Sequence, residues 1–212
     1  MALATLSRYR TSDGLYRTWL APRERYECLD PGNDPDPADI VIQIHVLMLL
    51  ADADPSAAHA LCEVLQRRVT DEDLWVYYRM APTIPILRTA DSRKAGCPLQ
   101  MPLSRLRASV PDQHRWVELV RFLQQIESGR AGDTTYFQAE ELLFKLATDN
   151  FSRLEHSPPL LYHNDLTASV RRFYWSEEFG YALWLRLYFE NERARPKLSC
   201  QQSNAMQLCA AN

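Results

Sequence analysis

From Ile40 to Ala51 the chain is apolar at every position except Gln43 and His45. The ten residues before it, "DPGNDPDPAD" at 30–39, carry four aspartates and three prolines. Asp36 as N-cap, Pro37 in the first turn and Asp39 at an acidic third position predict the start of a buried helix. The break "ADADPSA" ends it, and Asp54-Pro55 repeats the start signal. The next helix is predicted from about Ser56 to Val69, with Ala57, Ala60, Leu61, Val64 and Leu65 on one face. Glu63 and Arg67 are spaced to pair along it. Residues 71–96 look helical, but Pro82 and Pro85 must kink or split them.

The stretch from Cys97 to Pro111 is irregular and marked by proline, which predicts a connector. Asp112 then opens a helix with Trp116, Val120 and Leu123 in register, and Gly129 stops it. Asp133 or Thr134 opens another, with Phe137, Leu142, Leu143, Leu146 and Leu154 expected to face inward. "HSPPLLYHND" at 156–165 reads as a loop, followed by a long helix from about Leu166 to Glu192. On that helix Tyr174, Tyr181 and Tyr188 would share one face, with Trp175 and Phe179 as an adjoining stripe. Residues 195–212 are polar and aperiodic and read as a disordered tail. No segment alternates with period two for long enough to predict a strand. The expectation is an all-α chain, with one helical domain over 1–194 built from antiparallel hairpins.

Composition changes this picture little. The chain has 212 residues, only six glycines, 46% hydrophobic and 24% charged residues, and a net charge of −3. Few glycines suit helices better than tight β-turns. The charge gives no pull towards nucleic acid, and Arg67/Arg68 and Arg171/Arg172 read as solvated helix faces. Five cysteines, at 28, 62, 97, 200 and 209, form no Cys-x-x-Cys pair. That spacing argues against a disulfide framework and against structural zinc, so a reduced, cytoplasmic protein is expected. "MALATLSRYR" at 1–10 is no secretory signal, and Ile40–Ala51 is too short to span a bilayer.

Four segments occur in a recognisable order: "SDGLYRTWL" (12–20), "DPADIVIQIHVLMLLA" (36–51), "VYYRMAPTIPILRTADSRKAG" (76–96) and "FYWSEEFGYALWLRLY" (173–188). Together they resemble the α/α-toroid superfamily of prenyltransferase and squalene-cyclase-type (terpenoid cyclase-like) repeats. The resemblance covers about residues 10–192. It implies helical hairpins stacked into a ring whose inner helices enclose an apolar cavity. Gln43 and His45 stand where the family places asparagines, and Trp19 lies five residues beyond Asp13-Gly14. The chain is short for a complete ring, so the fold implied is a partial α/α-toroid or a short α-solenoid.

Neither catalytic signature of the superfamily is present. Asp34-Pro35-Asp36-Pro37-Ala38-Asp39 is not the Asp-x-Asp-Asp acid of the class II cyclases. Cys28, Asp30 and His163 do not follow the zinc order of the protein prenyltransferases. Asp30 and Asp34 sit in a Pro-Gly turn rather than on one helix face, where magnesium would need them. No metal and no cofactor is implied, and whether the chain is an enzyme stays open.

Buried polar groups and aromatic stripes supply the candidate ligand-binding residues: Gln43, His45, Tyr77, Tyr78, Trp175, Glu177 and Tyr181. Each also has a plain structural reading. Gln43 and His45 lie about 200° apart on their helix and can bond neighbouring carbonyls. Aromatic stripes are most often core. Glu177 and Glu178 suit a helix start, and Arg88 has a surface partner in Asp91. Two functions follow. The chain binds an apolar, prenyl- or terpene-like small molecule, or assists an enzyme acting on one. Alternatively it is a helical-repeat scaffold whose aromatic helix face docks a protein partner. A degenerate cyclase or transferase ranks third.

Overall fold

A computed structural model describes residues 2–19, 36–101, 113–148 and 150–194. Within them the chain forms α1 (Ala2–Arg8), α2 (Ile40–Ala53), α3 (Pro55–Arg68), a 3-10 turn (Glu72–Trp75), α4 (Thr83–Lys94), α5 (His114–Glu127), α6 (Asp133–Ala147), α7 (Ser152–His156) and α8 (Glu177–Ala194). Between α7 and α8 lies one antiparallel pair, β1 (Leu160–His163) with β2 (Phe173–Trp175). The fold is mainly α, as the helical periodicity requires. The expectations for Cys28, Asp30, Asp34, Asp112 and the tail 195–212 fall outside the described residues, as does all of the connector after Met101.

The helices form a series. α3 packs on α2, α2 on α4, and α4 on α5, while α5, α6 and α8 close on one another. Two cores result. Leu15, Tyr16, Ile40, Ile44, Leu47, Leu61 and Leu65 fill the N-terminal one. Trp116, Leu119, Leu123, Leu143, Leu146, Leu183 and Leu187 fill the C-terminal one. α4 joins them, with Ile84 against the first and Ile86 in the second. α2 sits between two neighbours, which explains why its apolar residues run almost all round it. On α5 the buried residues Trp116, Leu119, Val120, Leu123 and Ile126 recur at helical spacing.

Asp39, not Asp36, caps α2: its Oδ1 accepts from the N–H groups of Val41 and Ile42. Asp36 instead accepts from the Trp19 N–H at 3.0 Å. Asp54 caps α3 through Ala57, with Pro55 in the first turn. Glu63 faces His59 at 3.5 Å rather than Arg67. Arg68 is no simple solvated side chain, because it pairs with Asp13, Asp71 and Asp73. Arg88 pairs with Asp91 at 2.7 Å, as its spacing predicts.

Three larger expectations are corrected. The "LLYH" segment and the residues before Ser176 form a β-hairpin, so α8 starts at Glu177 instead of Leu166, and Tyr174 and Trp175 belong to β2. Three consecutive aromatics, Phe173 to Trp175, suit a pleated surface. Gly180 lets the first turns of α8 pack closely: a Cβ would stand 3.0 Å from Pro159 Cδ and 3.2 Å from the Trp116 ring. Second, Cys62 on α3 and Cys97 after α4 are disulfide-bonded, 35 residues apart in sequence and 5.6 Å between Cα atoms. Folding brings them together where spacing alone gives no hint, and the expectation of fully reduced cysteines falls. Third, Phe137 faces solvent at 67% exposure, because Ala139, Leu143 and Leu146 form the inward row of α6. No helix among the described residues is long and apolar enough to cross a membrane.

Candidate functional site

Gln43 is fully buried, and its amide is held by the backbone of Tyr16. Oε1 accepts from the Tyr16 N–H at 2.9 Å, and Nε2 donates to the Tyr16 carbonyl at 2.6 Å. Nε2 also approaches the Asp39 carbonyl at 3.4 Å. The amide thereby works as one more strand rung, fastening the N-terminal segment to α2. His45 lies on the exposed side of the same helix, contrary to its expected burial. Partial desolvation and nearby Arg88 hold its pKa below the usual histidine value.

Tyr77 and Tyr78 come together on the turn after the 3-10 helix, at the seam between the N-terminal helices and the β-hairpin. The Tyr77 hydroxyl accepts from Trp19 Nε1 at 3.3 Å. Burial raises the pKa of both phenols, and the Asp39 carboxylate adds to the rise. Asp36 and Asp165 also lie near enough to act on Tyr77, and Tyr162 on Tyr78. Both phenols therefore stay protonated at neutral pH and serve as hydrogen-bond donors rather than bases. Asp39 is buried, and desolvation raises its pKa despite bonds from Thr18, Ile42 and Val41.

His163 fixes this seam. It is fully buried: Nε2 accepts from the Met80 N–H at 3.2 Å, and Nδ1 contacts the Asn164 carbonyl at 2.7 Å. Those partners require a neutral ring with its proton on Nδ1, and burial lowers its pKa accordingly. Its own N–H donates to the Tyr77 carbonyl at 3.0 Å, so β1 is anchored to the tyrosine turn. Asp165 is also buried and accepts from the N–H and hydroxyl of Thr167, both at 2.8 Å.

Trp175, Glu177 and Tyr181 lie around the start of α8. Trp175 is 42% exposed on β2, and Glu177 is an exposed first-turn residue. The Tyr181 hydroxyl donates to Glu155 Oε1 at 3.0 Å, and its ring meets Phe151 edge-on. The structure thus gathers Tyr77 and Tyr78 at one seam and these three at the start of α8, with Gln43 and His45 on opposite sides of α2. Trp19, Tyr162 and Asp165 belong to the seam but are not among the candidate binding residues of the sequence. Only the polar run "YHND" at 162–165 could have pointed to the last two.

A second region is aromatic and open. On α6, Phe137 and Phe144 are 67% and 74% exposed, seven residues apart and so on one face. On α8, Leu185, Tyr188 and Phe189 are exposed. Trp184 stacks on Tyr188 at 5.5 Å and donates from Nε1 to the Leu143 carbonyl of α6 at 2.9 Å. Among the described residues no three His, Cys, Asp or Glu side chains gather as a metal set. No family model, no curated protein and no solved structure matches the chain.

Proposed function

We propose that the chain is a helical-hairpin scaffold, an open arc of the α/α-toroid or α-solenoid kind, that pairs with a second copy of itself through the outer face of α6 and α8. What supports this is the difference between the two ends of the helix series. The outer face of α3 exposes only Pro55, Ser56, His59, Glu63, Gln66 and Arg67. A stacked array needs such a polar cap at each end to stay soluble. The α6/α8 end carries Phe137, Phe144, Leu185, Tyr188 and Phe189 instead. Their exposed side chains sum to roughly 500 Å2, the size of the largest, often functional, apolar patch on a typical monomer. With a polar rim this approaches the ~800 Å2 per partner of a stable interface.

Head-to-tail stacking would press this apolar end onto the polar α3 face. Face-to-face pairing buries both apolar ends and leaves both caps in water, which closes the assembly at two copies. Sedimentation equilibrium tests the reading. The expected mass is twice the 24.6 kDa of one chain. Phe144→Glu with Phe189→Glu should give a monomer with unchanged helical circular dichroism. A wild-type protein that stays monomeric at tens of micromolar, or a double variant that still dimerises, overturns the reading.

A second reading is favoured by the seam alone. Two adjacent, half-buried phenols beside Trp19 offer an aromatic wall with hydrogen-bond donors, as an apolar, prenyl- or terpene-like ligand would need. Native mass spectrometry with such ligands distinguishes the readings. Retention abolished by Tyr78→Ala supports the seam, and no retention removes it.

A further inference from the structure

α5 and α6 are consecutive antiparallel helices, yet the rows they turn to each other on one side are polar. Between them lies a groove of about 620 Å3, the size of a small-molecule site. Phe122, Leu142 and Leu146 contribute its apolar surface. The candidate ligand residues of the seam and of the start of α8 take no part in this groove.

The groove is polarised along its length. Antiparallel packing sets His114 and Arg115 at the start of α5 opposite Lys145 at the end of α6, with Arg153 of α7 beside them. Gln125, Thr135 and Gln138 lie towards the other end. Four cationic side chains line the groove against two carboxylates. Lys145 and Glu141 neutralise each other in a 2.6 Å pair and Arg115 has a partner, which leaves Arg121 and Arg153 beside the one carboxylate of Glu118. Among the described residues the side chains of Arg121 and Arg153 make no ion pair or hydrogen bond. The first turn of the 14-residue α5 adds its positive end to the same region. The side chain of Gln113 does not cap that turn, because it bonds Leu160 and Pro158.

At the neutral end, the Thr135 hydroxyl donates to Gln125 Oε1 at 3.1 Å. That bond occupies the acceptor of the Gln125 amide and leaves its N–H groups as donors.

We infer that this groove binds a small phosphorylated polyol. The phosphate sits among Arg121, Arg153 and the start of α5, while Gln125 and Gln138 bond the hydroxyls and Phe122 covers the carbon chain. The inference is independent of self-pairing, because Phe137 and Phe144 occupy a different face of α6 from Gln138 and Lys145.

Calorimetric titration of the full chain at constant ionic strength tests it, with inorganic phosphate, glycerol 3-phosphate and glycerol as probes. Saturable phosphate binding is expected, with glycerol 3-phosphate tighter and glycerol alone silent. Arg121→Gln with Arg153→Gln should weaken it by roughly tenfold for each guanidinium. Arg67→Gln with Arg93→Gln, which removes the same charge elsewhere, should leave affinity unchanged. Non-saturating heats, or equal loss in both double variants, overturn the site. Glycerol 3-phosphate no tighter than phosphate overturns the polyol half. Unchanged circular dichroism in the groove variant excludes misfolding as the cause.

Discussion

Replacing Gln43 by alanine tests how the N-terminal segment is held. In the native protein this side chain partners both the N–H and the carbonyl of Tyr16, and both residues are buried. Truncation leaves two backbone groups without a partner, at about 1–3 kcal/mol each. The lost side-chain volume adds about 1 kcal/mol more. The expected loss is therefore ~3–7 kcal/mol, a large part of a typical 5–15 kcal/mol stability. Local detachment of residues 2–19 would limit the loss to the docking energy of that segment. Gln43→Leu separates the causes, because it restores volume without hydrogen bonds. It should recover less than half of the loss. Urea denaturation followed by circular dichroism measures the stabilities, and hydrogen exchange at the Tyr16 amide reports whether the segment detaches. A loss under 1 kcal/mol for Gln43→Ala, or Gln43→Leu as stable as wild type, would refute the reasoning. Gln43 would then be free for ligand contact.

Two further outcomes are expected. The Cys62–Cys97 bond closes a 35-residue separation, for which chain entropy gives ~4 kcal/mol. Non-reducing peptide mapping should recover the two cysteines linked, and Cys62→Ala with Cys97→Ala should lower stability by about that amount; recovery of unlinked peptides refutes the bond. The second outcome concerns His163, whose pKa is lowered by burial from an ordinary value of 6.5. A depressed histidine stabilises the fold fully above its unfolded value, and that stability is lost as pH falls below it. Stability should therefore drop from pH 7 towards pH 5, and His163→Gln should flatten the drop more than His45→Gln, whose ring lies on an exposed face. An unchanged slope in His163→Gln would remove His163 as the cause.

What the sequence revealed was local. The start of α3 and the inward row of α5 follow from a cap and from apolar spacing within one helix. The features it hid depend on distant partners. β1 and β2 have four and three residues, too few for alternation to stand out, and β1 is fastened to Tyr77 across more than eighty residues. Cysteine parity and spacing carry no record of which two helical segments fold side by side. Gln43 was legible as a buried amide in need of a partner, but the partner, Tyr16, lies 27 residues upstream. His45 was misplaced because α2 is apolar nearly all round, so no polar stripe marks its outer face.

α6 shows why surface function was harder to read than core. It carries three rows: Ala139, Leu143 and Leu146 turned inward, Phe137 and Phe144 outward, and Gln138, Glu141 and Lys145 along the groove. In sequence the first two rows merge into one apolar pattern, and large aromatics are naturally assigned to the core. Once the inward row is known, Phe137 and Phe144 have no structural duty left that burial would explain. The groove row likewise looks like an ordinary solvated face until α5 is set beside it with cations opposite. Both proposals thus rest on side chains that folding leaves without a packing role. Because the two rows occupy different faces, Phe144→Glu should break pairing without touching phosphate affinity, and Arg121→Gln should do the reverse. Linked losses would mean that α6 is responding as a whole, and that neither face had been identified by its own chemistry.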